Sequence, residues 1–432
     1  MRRIHTITKF RTLQILCSLV LAVFLVSHVV AQEQGPQDSA YPTVRIVDPA
    51  KVRREPTPLV RIGLAPFSLA GSGMERGLYL VEEHKLQDRL QIILGNRNIH
   101  PLFGSLGDDS GFGGGFAFST VGVTAPHFGF IGDFHVTAKK YMEANGGVRF
   151  RQNERIGEVV LDLTAGYRLR PEEDFWGIGA EPGSPRSNFN LQERSVRGAM
   201  EVRHSNQLRS GWEVKYSATS IFAGEDALYP STGAVFTGAA LPGLEGGGEL
   251  FETSLFAEYD TRSGSTSLVR GFYLRGSISS VDGVNGSDFS YWRYAVDQRF
   301  YVPLGNERRV FAVRTLLAFT DTRDDSQIPF FRLARLGDTQ TLRGYDANRF
   351  YGRNAAAWNA EYRTDLTGGL GAFAFTDFGQ VFDRASEFNT ANFRVTYGGG
   401  VQLKTKKSIV LRTYVARSQE RTRLMISFGP TF

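Results

Sequence analysis

The sequence predicts an all-β fold, a transmembrane antiparallel β-barrel of roughly 16 strands in an outer membrane. Three observations predict it. A secretory leader opens the chain. From residue 111 onward, segments of about ten residues alternate apolar and polar. The 432 residues hold 48 Gly and 33 Phe against 5 Met and 1 Cys. Glycine costs about 1 kcal/mol at a helical position, so this composition suits a turn-rich sheet better than a helical enzyme. The hydrophobic fraction of 41% and mean hydropathy of −0.22 are ordinary for a globular chain.

Residues 1–31 read as the leader. Arg2, Arg3, Lys9 and Arg11 form a basic start with no acid, Leu13 to Val26 is apolar, and Val29-Val30-Ala31 is a small-residue cleavage site. The apolar run is short for a membrane anchor and is broken by Cys17 and Ser18. Cys17 follows Leu16, where a lipid-attachment site wants a small residue. It is also the one cysteine, so the mature chain has neither a disulfide nor a thiol nucleophile. Four cations of the leader account for most of the formal +6, which leaves +2 for the rest. The sequence pI near 9.3 is therefore no argument for nucleic acid.

Residues 32–110 read as a periplasmic linker. Pro36, Pro42, Pro49, Pro56, Pro58 and Pro66 punctuate its first half. Gly77 to Leu94 fits a short helix, with Leu86, Leu90, Ile93 and Leu94 on one side.

Residues 111–432 read as the barrel. Fifteen strand candidates centre near residues 117, 134, 146, 162, 198, 216, 255, 274, 295, 314, 360, 375, 398, 412 and 427. In 155–168, Val159, Leu161, Leu163, Ala165 and Tyr167 oppose Glu158, Asp162, Thr164 and Arg168. In 291–302, Trp292, Tyr294, Val296, Phe300 and Val302 oppose Arg293, Asp297 and Arg299. In 308–321, Phe311, Val313, Leu317 and Phe319 oppose Ala312, Arg314, Ala318 and Thr320. Charges of both signs on one face and aromatics near strand ends suit a wet lumen and a lipid-facing band, in a sheet that must close. A soluble β-sandwich is the alternative. Single-chain bacterial barrels have an even strand count, so a sixteenth strand is expected between residues 112 and 152. The longest stretches without strand character, 170–191, 223–249 and 322–353, are the expected extracellular loops.

The last of these loops carries Thr341-Leu342-Arg343-Gly344-Tyr345, and a later strand carries Phe375-Thr376-Asp377-Phe378-Gly379-Gln380-Val381. Upstream lie Asp174-Phe175-Trp176-Gly177-Ile178-Gly179, Tyr259-Asp260-Thr261-Arg262 and Arg270-Gly271-Phe272-Tyr273, and the chain closes on Phe432. Together, over roughly residues 112–432, these segments resemble the bacterial surface antigen family, the barrel domain of the BamA/TamA-type outer-membrane assembly factors. Five strand candidates follow the Arg-Gly-Tyr loop, as in that family. The resemblance implies a long extracellular loop folded into the lumen, with Arg343, Gly344 and Tyr345 as its anchor motif and Asp377 and Gly379 on the receiving strand. Glu361, on the strand between, is a second carboxylate candidate for the Arg343 fork. The resemblance also implies that Phe432 is a C-terminal signal read by the assembly machinery; the plainer reading is an interface aromatic. In the family the first and last strands meet at a weak seam, and Gly113-Gly114-Gly115 would pair loosely there. The stretch ahead of the barrel is too short for the family's array of polypeptide-transport-associated domains, so the chain reads as a short form.

No catalytic, cofactor-binding or metal-ligating residue is expected. The sequence shows no G-x-S-x-G, phosphate loop or G-x-G-x-x-G, and the five histidines beyond the leader lack metal-ligand spacing. His204 and Ser205 are adjacent, so on a strand they would point to opposite faces and form no dyad. Three functions follow in order: help with protein insertion or translocation, a passive or gated pore, and a lipid-modifying enzyme. Expected partners are outer-membrane lipids, the assembly machinery for the chain's own insertion, and unfolded outer-membrane protein clients.

Overall fold

In the computed structural model the described residues are 98–432, apart from 108, 124, 155–156, 180, 182–183, 265–268, 306–307, 324–325, 368, 405–408 and 429–430. The leader, most of the expected linker and the helix expected over 77–94 lie outside the described residues.

One sheet holds 16 strands in chain order, each antiparallel to the next. They are β1 (Ile99–Gly104), β2 (Gly113–Ser119), β3 (Phe128–Thr137), β4 (Met142–Glu154), β5 (Gly157–Phe175) and β6 (Ser187–Arg203). Next come β7 (Leu208–Ala223), β8 (Gly248–Asp260), β9 (Gly271–Gly283), β10 (Ser290–Pro303) and β11 (Arg309–Thr322). The loop after β11 holds a hairpin of its own, β12 (Ala334–Leu336) and β13 (Phe350–Gly352). The wall resumes with β14 (Asn354–Thr367), β15 (Leu370–Phe382), β16 (Arg394–Lys404), β17 (Ile409–Arg417) and β18 (Thr422–Phe428).

The two-residue period sorts side chains onto two faces. On β5, Leu161 and Leu163 are 41% and 56% exposed on the lipid side. Between them Asp162 faces the lumen and accepts from Arg149 of β4 at 2.7 Å. Short connections such as 204–207 lie at one end of the barrel, and the long ones, 176–186, 224–247, 323–353 and 383–393, lie at the other. The long end is therefore the extracellular one. At about 3.3 Å per residue, the 19, 17 and 16 residues of β5, β6 and β7 outrun a hydrocarbon core of roughly 30 Å. Their outer ends form the base of a dry dome, in which Phe175, Phe189, Leu191 and Ile221 pack on Leu241, Leu244, Phe330, Phe331 and Tyr351 from the loops.

Two expectations need correction. Among the described residues the sheet begins at Ile99, ahead of the boundary expected at residue 111, and this β1 is the sixteenth strand that was expected between residues 112 and 152. Pro101 hides it, because proline reads as a strand breaker. An edge strand tolerates proline, since one side of its backbone has no ladder to lose.

That edge is a feature of the wall. β1 pairs with β2 and β18 pairs with β17, and among the described residues no ladder joins β1 to β18. β1, β2 and β18 have 6, 7 and 7 residues, fewer than the about 9–11 a tilted strand needs to span. Phe103 on β1 and Leu424 and Ile426 on β18 are 65%, 71% and 62% exposed.

Candidate functional site: a loop held in the barrel lumen

The loop after β11 turns inward through a sequence-local device. The Asp338 carboxylate accepts from the Gln340 and Thr341 backbone N–H groups at 2.8 and 2.5 Å, and from the Thr341 hydroxyl at 2.8 Å. Gly337, at φ 99°, supplies the left-handed residue of the turn. This sets Leu342 and Arg343 against the wall.

Strand register places the groups that receive them. Asn359, Glu361 and Arg363 alternate along β14 and so share its lumen face, and Asn359 stands opposite Asp377 of β15. Arg343 donates from Nε and Nη2 to Asp377 at 2.9 and 2.6 Å, from its backbone N–H to the same carboxylate at 3.1 Å, and from Nη1 to Glu361. Its guanidinium lies 3.6 Å from the Phe375 ring centroid. Asp377 also accepts from Asn359 at 2.9 Å and Thr396 at 3.1 Å. The other oxygen of Glu361 accepts from Arg363 at 2.7 Å and Arg412 at 2.6 Å. Arg343, Arg363, Arg412, Glu361 and Asp377 are all at most 1% exposed.

Burial lowers the pKa of Arg343, but Asp377 and Glu361 outweigh it and raise the pKa above its ordinary value. A buried cluster of this kind holds only because each charge is paired and hydrogen-bonded. Gly398 makes room for it: a Cβ there would collide with the Val415 carbonyl oxygen and the Phe375 ring.

The loop then spans the lumen. On the far wall Arg332 donates to Glu193 at 3.2 Å and Ser217 at 2.9 Å, and Arg335 donates to Glu173 at 3.1 Å. On the near wall Gly344, at φ 97°, runs so close to β17 that a Cβ would stand 3.1 Å from Ala416. Tyr345 packs edge-on against Phe350 at 4.9 Å and donates to Gln419 at 3.2 Å. A Cβ on Gly379 would stand 3.1 and 3.2 Å from Leu336 and Leu342, so the wall is hollowed where the loop's aliphatic side chains seat.

The Omp85 superfamily domain matches residues 141–406, well over half of the chain. The chain belongs to the Omp85 superfamily. Its fold is similar to that of BamA from Haemophilus ducreyi lacking POTRA domains 1-3, at 15% identity and a TM-score of 0.57, over 77% of this chain and 69% of that one. It is also similar to CdiB from Escherichia coli, at 11% identity and a TM-score of 0.50, over 77% of this chain and 61% of CdiB. At such identities the likeness is one of fold. A search of curated protein sequences found no match. Like the superfamily, this barrel belongs to the bacterial outer membrane.

In this Omp85 barrel, the residues singled out from sequence as anchor and receiver meet in one place: Arg343, Gly344 and Tyr345 from the loop, Glu361, Asp377 and Gly379 from β14 and β15. Phe432 lies elsewhere than a strand-end aromatic would. It sits beyond the end of β18, buried with Tyr301, Val310 and Ala312, and its backbone oxygen accepts from Arg363 at 3.3 Å. Thr431 beside it accepts from Arg412.

The sequence reading missed Arg363 and Arg412, which tie this tail to Glu361. The Glu361-x-Arg363 spacing was the available signal, since two residues apart on a strand means one face. His204 bonds Ser210 at 2.8 Å in the β6–β7 turn, while Ser205 accepts from the turn's own Gln207 and Leu208 N–H groups. Among the described residues no group of three or more His, Cys, Asp or Glu is placed to hold a metal ion.

Proposed function

We propose that the protein inserts or moves polypeptides at the outer membrane and that the β1–β18 opening is its working edge. Unfolded outer-membrane proteins would be its clients, and the surrounding lipid its second partner. The observation that carries this reading is a wall whose first and last described strands are short and, among the described residues, share no ladder. In hydrocarbon an unpaired row of N–H and C=O groups is costly and is a template for another strand. A client hairpin would satisfy it by strand addition.

Arg343 anchors the loop in this reading, and the loop's ties to opposite walls speak against a passive pore. No chemistry is assigned to the barrel, which acts by binding and release. Phe432 would be read by the assembly machinery while the chain is unfolded, then stored in the lumen.

The test is reconstitution in liposomes with a urea-unfolded outer-membrane protein as client. Faster folding of the client than in empty liposomes, abolished by a disulfide between cysteines placed on β1 and β18, is the expected result. Unaccelerated folding together with steady single-channel conductance would replace this reading with a pore.

A further inference from the structure

We propose that Asp346 is a latch by which the lumen loop holds the last hairpin, β17–β18, on the wall. The hairpin has one ladder joining β18 to the barrel, through β17, and no second ladder on its outer side among the described residues. Something else must fix its free edge.

Residues 345–349 do so from inside. The Asp346 carboxylate accepts from Arg421, in the β17–β18 turn, and from Arg423 of β18 at 2.9 Å. Arg423 Nη1 also donates to the Tyr345 carbonyl at 2.9 Å. Arg349 pairs with Glu420 at 2.7 Å, and Tyr345 reaches Gln419 at 3.2 Å.

An isolated exposed ion pair is worth little, mainly because two long side chains must be ordered to make it. Asp346 differs. Its segment is already fixed three residues earlier, where Arg343 meets Asp377 through both backbone and side chain. The carboxylate is therefore pre-placed, its side chain only 15% exposed, and one acid receives two arginines. At the periplasmic end the tail is tied as well, Thr431 to Arg412 and Phe432 to Arg363. The last strand is thus held at both ends by lumen contacts that converge, through Glu361, on the Arg343 cluster. The position of the loop then sets the freedom of the hairpin.

The significance of the latch for transport rests on the working edge proposed above. Its existence does not, and the experiment separates the two. Hydrogen–deuterium exchange is measured on the full protein in lipid nanodiscs, wild type beside Asp346→Asn and beside Arg421→Gln/Arg423→Gln. The expected result is exchange on the order of tenfold faster in 409–428, from loss of charge-assisted bonds in a local opening, with β5–β7 unchanged. Asp346→Arg combined with Arg421→Asp and Arg423→Asp should slow exchange again.

Unchanged exchange in 409–428 overturns the latch, and so does an equal rise in β5–β7, which would make Asp346 a general fold contact. Client insertion is read on the same samples. Faster hairpin exchange with insertion unaltered supports the latch and counts against the working edge. Unaltered exchange beside intact, seam-dependent insertion overturns the latch alone.

Discussion

At the residue scale the decisive group is Arg343. Its removal would leave Glu361 and Asp377 buried, with Arg363 and Arg412 answering only one side of Glu361. Breaking a buried pair by deleting one partner costs about 3–5 kcal/mol. Arg343→Ala should therefore lower the temperature at which the compact, heat-modifiable species disappears from semi-native gels. Arg343→Lys should recover only part of the loss, because one ammonium cannot present the fork that meets both oxygens of Asp377 and one of Glu361. If Arg343→Ala melted like wild type, the loop would be held by its apolar contacts instead. Arg343 and Asp377 were legible because a motif points to them. Arg363 and Arg412 were not: every lumen-facing arginine of a barrel looks alike until register says which ones share a carboxylate. Phe432 was legible as an aromatic but not as a buried one, since its burial depends on Tyr301 and Val310, well over a hundred residues upstream.

At the element scale, alternation identified fifteen of the wall strands and, in segments such as 155–168 and 291–302, their two faces, because period two is a local property of the chain. β1 escaped because its six residues contain Pro101 and its identity as an edge strand comes only from pairing with β2. The seam and the glycine-lined wall behave differently under perturbation. Gly400→Val would drive a side chain into the Thr413 carbonyl and Tyr414 across the β16–β17 ladder, and Gly398→Val would strike Phe375. Each should cost about 1–3 kcal/mol or more by overpacking, seen as a lower yield of the compact gel species. A yield equal to wild type would mean that this wall relaxes freely. In hydrogen exchange of the wild type, β1, β2 and β18 should lose protection well before β5–β7, since short ladders at an open edge open locally at little cost. Uniform protection around the sheet would show a closed barrel.

At the scale of the whole molecule, the loop and the dome partition the lumen. The loop packs on β14 and β15 and reaches the outer halves of β5–β7, while the periplasmic halves of β4–β8 carry a chain of ion pairs that runs from Arg151 through Glu158, Arg203, Glu201 and Arg209 to Glu258. With Phe330 and Phe331 packed on Phe175 and Phe189, and the loop tied to opposite walls, planar-bilayer recordings should show little steady conductance. Replacing Arg332 and Arg335 by alanine removes the ties to Glu193, Ser217 and Glu173, and should raise the frequency of open events. Large steady currents from the wild type would reverse the proposal in favour of a pore.

The sequence by itself determined the class of the protein, through a two-residue period, turn residues at strand spacing, and a loop motif with a receiving carboxylate. These are local or nearly local, so chain order alone carries them. Only the tertiary structure decided which charges meet, where the sheet starts and stops pairing, and that the tail and the loop share one buried cluster. Those depend on register around a curved sheet, where a one-residue slip turns each side chain to the other face, and on contacts such as Arg332–Glu193 between residues far apart in the chain.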